Sequence, residues 1–105
     1  MEGAIISNSV EVGRGSIVYY NSVVTHDCTL GAYVEISPGA KVLGRVTIGD
    51  YTQIGANATV LPDIKVGNNV IIGAGAVVTR DVPDNRVMAG VPARIKKELD
   101  PPKIG

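Results

Sequence analysis

The sequence predicts an all-β chain wound as a parallel β-helix of triangular cross-section. Three observations predict it. Every sixth residue is aliphatic: Ile6, Val12, Val18, Val24, Leu30, Ile36, Val42, Ile48, Ile54, Val60, Val66, Ile72 and Val78. Two residues earlier in each hexad, from Ala4 through Cys28 to Ala76, the residue is small or β-branched. Gly13, Gly31, Gly49 and Gly67 recur at a spacing of 18, with Gly55 and Gly73 in a second, shorter column.

Each element follows from that pattern. Residues i and i−2 face the same side of a strand, so each hexad supplies a short strand with two inward residues and then a corner. Three hexads close one turn, and successive turns stack at about 4.8 Å, the spacing of neighbouring strands. Residues 4–79 carry roughly four such turns. The glycine column is expected where a corner demands φ > 0. A prism this thin takes Val, Ile, Ala, Ser and Thr inside. The chain has 13 Gly, no Phe and no Trp, and its tyrosines, Tyr19, Tyr20, Tyr33 and Tyr51, all fall off the inward positions. Cys28 falls on one and reads as a small buried hydrophobe rather than a reactive thiol.

The hexads stop after Val78. Asp81-Val82-Pro83-Asp84-Asn85 is turn chemistry, and Val87 to Val91 suits one more strand. Pro92 to Leu99 suits a short helix with proline at its first position, placed to cap the open end of the solenoid. Residues 80–99 therefore read as a terminal strand and helix, and 100–105 as a loose tail. The whole, 1–105, is one domain.

Composition narrows the function. Ten Lys+Arg balance ten Asp+Glu, which leaves no electrostatic footprint for nucleic acid. No apolar run approaches the length of a membrane span, and Met1-Glu2-Gly3-Ala4 lacks the features of a secretory signal. A cytoplasmic protein is expected. One cysteine, Cys28, gives no internal disulfide, and one histidine, His26, cannot supply a three-imidazole metal site. No metal is expected.

The hexads, with the ending Gly73-Ala74-Gly75-Ala76-Val77-Val78-Thr79 and Gly90-Val91-Pro92-Ala93-Arg94, resemble the hexapeptide-repeat acyltransferases. That resemblance implies a left-handed winding, against the usual right-handed crossover. Val24-Thr25-His26-Asp27-Cys28-Thr29-Leu30-Gly31, followed by Ile36-Ser37-Pro38-Gly39-Ala40, narrows it. The stretch is similar to the sialic acid O-acetyltransferases and the bacillosamine-pathway sugar N-acetyltransferases. The likeness runs over about residues 4–97. In that group a nucleotide-binding α/β domain usually precedes the β-helix, so the chain reads as the β-helix part alone or as a short relative. The resemblance implies acetyl-CoA as co-substrate, a sugar or sugar nucleotide as acceptor, and a homotrimer with sites between prisms.

Acetyl transfer needs a base, a donor for the oxyanion and a groove for the pantetheine arm. The resemblance places the general base at His26, the only imidazole in the chain and a group type that titrates near neutrality. Without it, His26 is an exposed corner histidine. The following carboxylate, Asp27, would orient the imidazole, a role adjacent residues can fill only at a corner; its plain reading is a turn residue. Gly44 stands 18 residues after His26, one coil above it. The matching glycine amide in the family stabilises the oxyanion, and a plain corner glycine is compatible with that. Ala56 and Ala74 match positions whose backbone contacts coenzyme A. Arg94, with Lys96 and Lys97, would meet its phosphates or simply form a solvated face. Two positions depart from the family. Tyr19 replaces an Asn seven residues before the base, and Glu35 replaces a cofactor-contacting His nine residues after it. A non-catalytic trimerisation scaffold is the alternative, and a hexapeptide-fold carbonic anhydrase fails for want of three histidines.

Overall fold

The computed structural model describes residues 3–101. Its regular part is a run of two-residue strands, each beginning six residues after the last. They are β1 (Ile5–Ile6), β2 (Glu11–Val12), β3 (Ile17–Val18), β4 (Val23–Val24), β5 (Thr29–Leu30), β6 (Glu35–Ile36), β7 (Lys41–Val42), β8 (Thr47–Ile48), β9 (Gln53–Ile54), β10 (Thr59–Val60), β11 (Lys65–Val66), β12 (Ile71–Ile72) and β13 (Val77–Val78). Two longer strands follow, β14 (Arg86–Ala89) and β15 (Arg94–Glu98).

The strands stack on three faces. The first face is β1-β4-β7-β10-β13, the second β2-β5-β8-β11, and the third β3-β6-β9-β12-β14-β15. Up to β13 every pairing is parallel and offset by 18 residues, as in Val24↔Val42 and Leu30↔Ile48. A Val66↔Val82 bridge extends the second face by one rung. The result is an all-β solenoid of about five turns, consistent with the left-handed β-helix expected.

Burial follows the hexads. The aliphatic column from Val18 to Val78 is buried throughout, and the second inward column buries Cys28, Val34, Ala40, Val46, Ala58, Ile64, Val70 and Ala76 beside it. Ile6 and Val12 keep 38% and 41% of their surface, since among the described residues no coil lies beneath them. All four tyrosines are exposed. Inward hydroxyls are tolerated because the backbone satisfies them. Thr52 donates to the Gly67 carbonyl at 2.7 Å and accepts the Val70 N–H at 3.2 Å. Ser16 does the same with Gly31 and Val34.

Two expectations are corrected. The column Gly13, Gly31, Gly49 and Gly67 does not hold the positive-φ corners. Those fall two residues further on, at Ser9, Gly15, Asn21, Asp27, Tyr33, Gly39, Arg45, Tyr51, Asn57, Asp63, Asn69 and Gly75. The glycine column serves close stacking instead. A methyl built on Gly49 would lie 2.7 Å from the Gly67 carbonyl carbon and 2.8 Å from the Asn68 nitrogen. Asp50, Asn68 and Asp84 then lace these corners together, each accepting an N–H from the coil below at 2.7–2.9 Å.

The second correction concerns the C-terminal cap. No helix forms over Pro92–Leu99. Arg94–Glu98 is β15, antiparallel to β14, with Gly90 in the turn at φ +99. A helix of two turns is marginal by itself, whereas the outer edge of β14 offers unpaired backbone groups that a strand satisfies. Arg86 reaches across the hairpin to Glu98 at 3.3 Å. Of the expected loose tail, residues 102–105 lie outside the described residues. No helix among the described residues is long and apolar enough to cross a membrane.

Candidate functional site

His26 and Asp27 form the corner between β4 and β5, where the first face turns into the second. Asp27 has φ +61, a conformation Asp tolerates better than most residues. That turn brings adjacent side chains to one side of the chain. His26 Nδ1 lies 3.0 Å from Asp27 Oδ2, with the two side chains 50% and 56% exposed. An ionised carboxylate only accepts hydrogen bonds, so Nδ1 carries the proton and Nε2 of the neutral ring keeps its lone pair. The backbone holds the corner from both sides. Asp27 N–H donates to the Asn8 carbonyl at 3.1 Å, and the His26 carbonyl accepts the Arg45 N–H at 3.0 Å.

Gly44 lies directly above the imidazole. A methyl built on it would stand 2.6 Å from His26 Nε2 and 2.7 Å from Cε1. The ring therefore occupies the space that a side chain at 44 would fill, and the basic nitrogen faces a bare backbone. Arg45 and Asp63 continue the Asp27 column on the next two coils and form a two-point ion pair, Nε to Oδ1 at 2.5 Å and Nη2 to Oδ2 at 3.1 Å. The Arg45 guanidinium bonded to Asp63 holds that carboxyl below the usual range.

Cys28 is fully buried, its thiol 3.0 Å from the Leu43 carbonyl. Burial pushes its pKa up, against smaller opposing pulls from nearby backbone hydrogen bonds. A neutral, enclosed thiol is a poor nucleophile. Iodoacetamide is expected to leave the native chain unlabelled at pH 7.5 and to label it fully in guanidinium. Rapid labelling of the native chain, followed by mass spectrometry, would contradict this placement.

The other candidates lie elsewhere. Ala56 and Ala74 sit at the corner between third and first faces, after β9 and β12. Glu35 opens β6 on the third face, half-buried between Ile17 and Gln53. One prism thus joins His26, Asp27 and Gly44 and separates them from these three. Arg94, at the start of β15, lines a cavity of about 340 Å³ with Arg80, Val78 and Met88. Arg80 lies between β13 and the Val82 bridge, where the first face turns into the second as it does at His26, so this cavity lies toward the C-terminal end of that corner. Arg45 and Asp63 were missed in the sequence. Steps of 18 from Asp27 lead to Arg45 and then to Asp63, which was the available signal. Among the described residues no group of three His, Cys, Asp or Glu is placed to hold a metal ion.

The bacterial transferase hexapeptide (six repeats) family matches residues 27–61 and 45–80. No curated protein sequence gives a significant match. Solved structures do. The acetyltransferase domain of PglB from Neisseria gonorrhoeae, in complex with acetyl coenzyme A, is 37% identical over 90% of this chain, with a TM-score of 0.78. GDP-perosamine N-acetyltransferase from Caulobacter crescentus, in complex with CoA and GDP-perosamine, is 34% identical over 92%, with a TM-score of 0.83. Serine acetyltransferase from Neisseria gonorrhoeae is 32% identical over 95%, with a TM-score of 0.89. The chain spans 55% of the first two proteins and 43% of the third.

Proposed function

The chain belongs to the bacterial transferase hexapeptide family, and from that premise we propose that it moves an acetyl group from acetyl-CoA to a sugar acceptor. The observation that carries the reading is the His26–Asp27 pair, with Nε2 turned onto the bare backbone of Gly44. The similarity to an acetyltransferase domain bound to acetyl-CoA, and to GDP-perosamine N-acetyltransferase bound to CoA and GDP-perosamine, supports it. An amino sugar nucleotide or a sialic-acid-like sugar is the acceptor class.

The geometry supports a direct transfer. Nε2 takes the proton of the acceptor's amine or hydroxyl as that group attacks the thioester carbonyl. Asp27 keeps the ring oriented and stabilises the imidazolium. The tetrahedral oxyanion is met by the Gly44 N–H. Collapse breaks the C–S bond, and the imidazolium returns its proton to the departing CoA thiolate. No acetyl-enzyme forms, in keeping with the buried, protonated Cys28. The pantetheine arm lies along small corner residues, Ala56 and Ala74. Since one prism holds these on a different corner from His26, the site is completed in a homotrimer, where a second copy brings them opposite the base. Arg94 takes a CoA phosphate, and Glu35 stands where the family has a cofactor-contacting histidine. The working compartment is the cytoplasm, where acetyl-CoA is made.

Calorimetric titration with acetyl-CoA, with mass from light scattering, tests this. The expected result is three equivalents bound per trimer, and thiol release once an amino sugar acceptor is added. A folded trimer that binds no acetyl-CoA would identify a scaffold. A monomer would remove the shared site.

A further inference from the structure

The corner column beside His26 carries a carboxylate, a guanidinium and a second carboxylate on consecutive coils: Asp27, Arg45 and Asp63. All three occupy the same corner position, at φ 61, 60 and 65. Coils stand about 4.8 Å apart, so Arg45 reaches either carboxylate. It takes Asp63, through both Nε and Nη2, in the fork geometry that suits a guanidinium. Asp27 is thereby left to His26, at 3.0 Å.

The alternative arrangement would disable that pair. Arg45 is a permanent cation with five donors, whereas a neutral imidazole offers Asp27 a single N–H. Turned downward, Arg45 would win the carboxylate. The charged and titratable groups around His26 are Asp27 and the Cys28 thiol on its own coil, with Arg45 and Asp63 above. The hydrogen bond from Arg45 depresses the Asp63 carboxyl. A depressed carboxyl is ionised above the ordinary aspartate range and the pair is lost only in acid below it. The clamp is therefore closed at neutral pH.

We propose that Asp63 is a positioning residue: by holding Arg45 upward it keeps Asp27 on His26 and leaves Nε2 free to accept the acceptor's proton. The inference rests on the reading of His26 as the base, but its central test does not. His26 is the only histidine in the chain, so ¹⁵N NMR of labelled protein reports its tautomer directly. In the parent chain the neutral ring is expected as Nδ1–H. Asp63→Asn releases Arg45 onto Asp27 and shifts the ring toward Nε2–H. It also lowers turnover by about 10-fold, less than loss of the base itself would. Arg45→Gln added to Asp63→Asn removes the competitor and restores both readouts, which a purely structural role for Asp63 would not allow. A tautomer unmoved by Asp63→Asn overturns the proposal, as does a double variant that fails to recover it. Tautomers that move as stated in a chain without acetyl transfer uphold the clamp and refute the base instead.

Discussion

Gly44→Ala is expected to cost acetyl transfer nearly as much as His26→Ala, about 10²–10⁴-fold in kcat, while the melting temperature stays within a few degrees of the parent. Gly44 does not need a left-handed backbone, since its φ lies outside that region, so alanine is compatible with the corner. The new methyl would instead meet the imidazole at 2.6–2.7 Å. That contact is with the far end of a half-exposed side chain, which swings into solvent at little cost to the fold. The slight stiffening of the unfolded chain by alanine offsets what cost there is. Chemistry has no such escape. The displaced ring loses Asp27, and Nε2 leaves the position where the proposed mechanism brings acceptor and thioester together, an error of an ångström or more that is expensive in catalysis. Thiol release under saturating acetyl-CoA, with thermal melts at one protein concentration, checks both halves. A Gly44→Ala chain with parental turnover would show that the base does not work from this position.

The fold and the site were legible to different depths for physical reasons. The hexads were readable because a narrow prism makes the same demand at every sixth residue, and Val24, Val42 and Val60 answer it one above another. The conformation of the corners was not. The left-handed position is filled by Asn21, Asp27, Tyr33, Arg45 and Asn57 as readily as by Gly15, so no single residue type marks it. The glycines that did stand out mark a contact between coils, a tertiary fact with no local signature. Pro92 carried a local helix signal, and the unpaired edge of β14 overrode it. At the site, the 18-residue column located Gly44 above His26, and the corner reading put Asp27 against the imidazole. Arg45 and Asp63 share the 18-residue column of Asp27, but which carboxylate the guanidinium takes is settled only in three dimensions. Ala56, Ala74 and Glu35 belong to other corners and faces of the prism, which their own columns already separate from that of His26.

Gly49→Ala carries the largest expected loss of stability. Here the obstacle is backbone. The methyl would face the Gly67 carbonyl carbon at 2.7 Å and the Asn68 nitrogen at 2.8 Å, together with the Asn68 side-chain oxygen. That oxygen accepts the Asp50 N–H at 2.7 Å, so making room also breaks a link of the corner ladder. No rotamer relieves the clash, and two coils must part. Overpacking of this kind costs about 1–3 kcal/mol, and the broken bond at an exposed corner adds up to roughly 1 kcal/mol. For a domain near this size the sum corresponds to a fall in Tm of roughly 10–20 °C, read by circular dichroism at fixed protein concentration because assembly shifts Tm. Gly75→Asn is the matched control. Gly75 has φ +71, with open space where a β-carbon would stand, and Asn57 fills the same corner position one coil below at φ +59. Asparagine tolerates that conformation, so its cost is expected below about 1 kcal/mol. If Gly75→Asn proved the more damaging change, corner conformation rather than coil-to-coil contact would explain why glycine recurs every 18 residues.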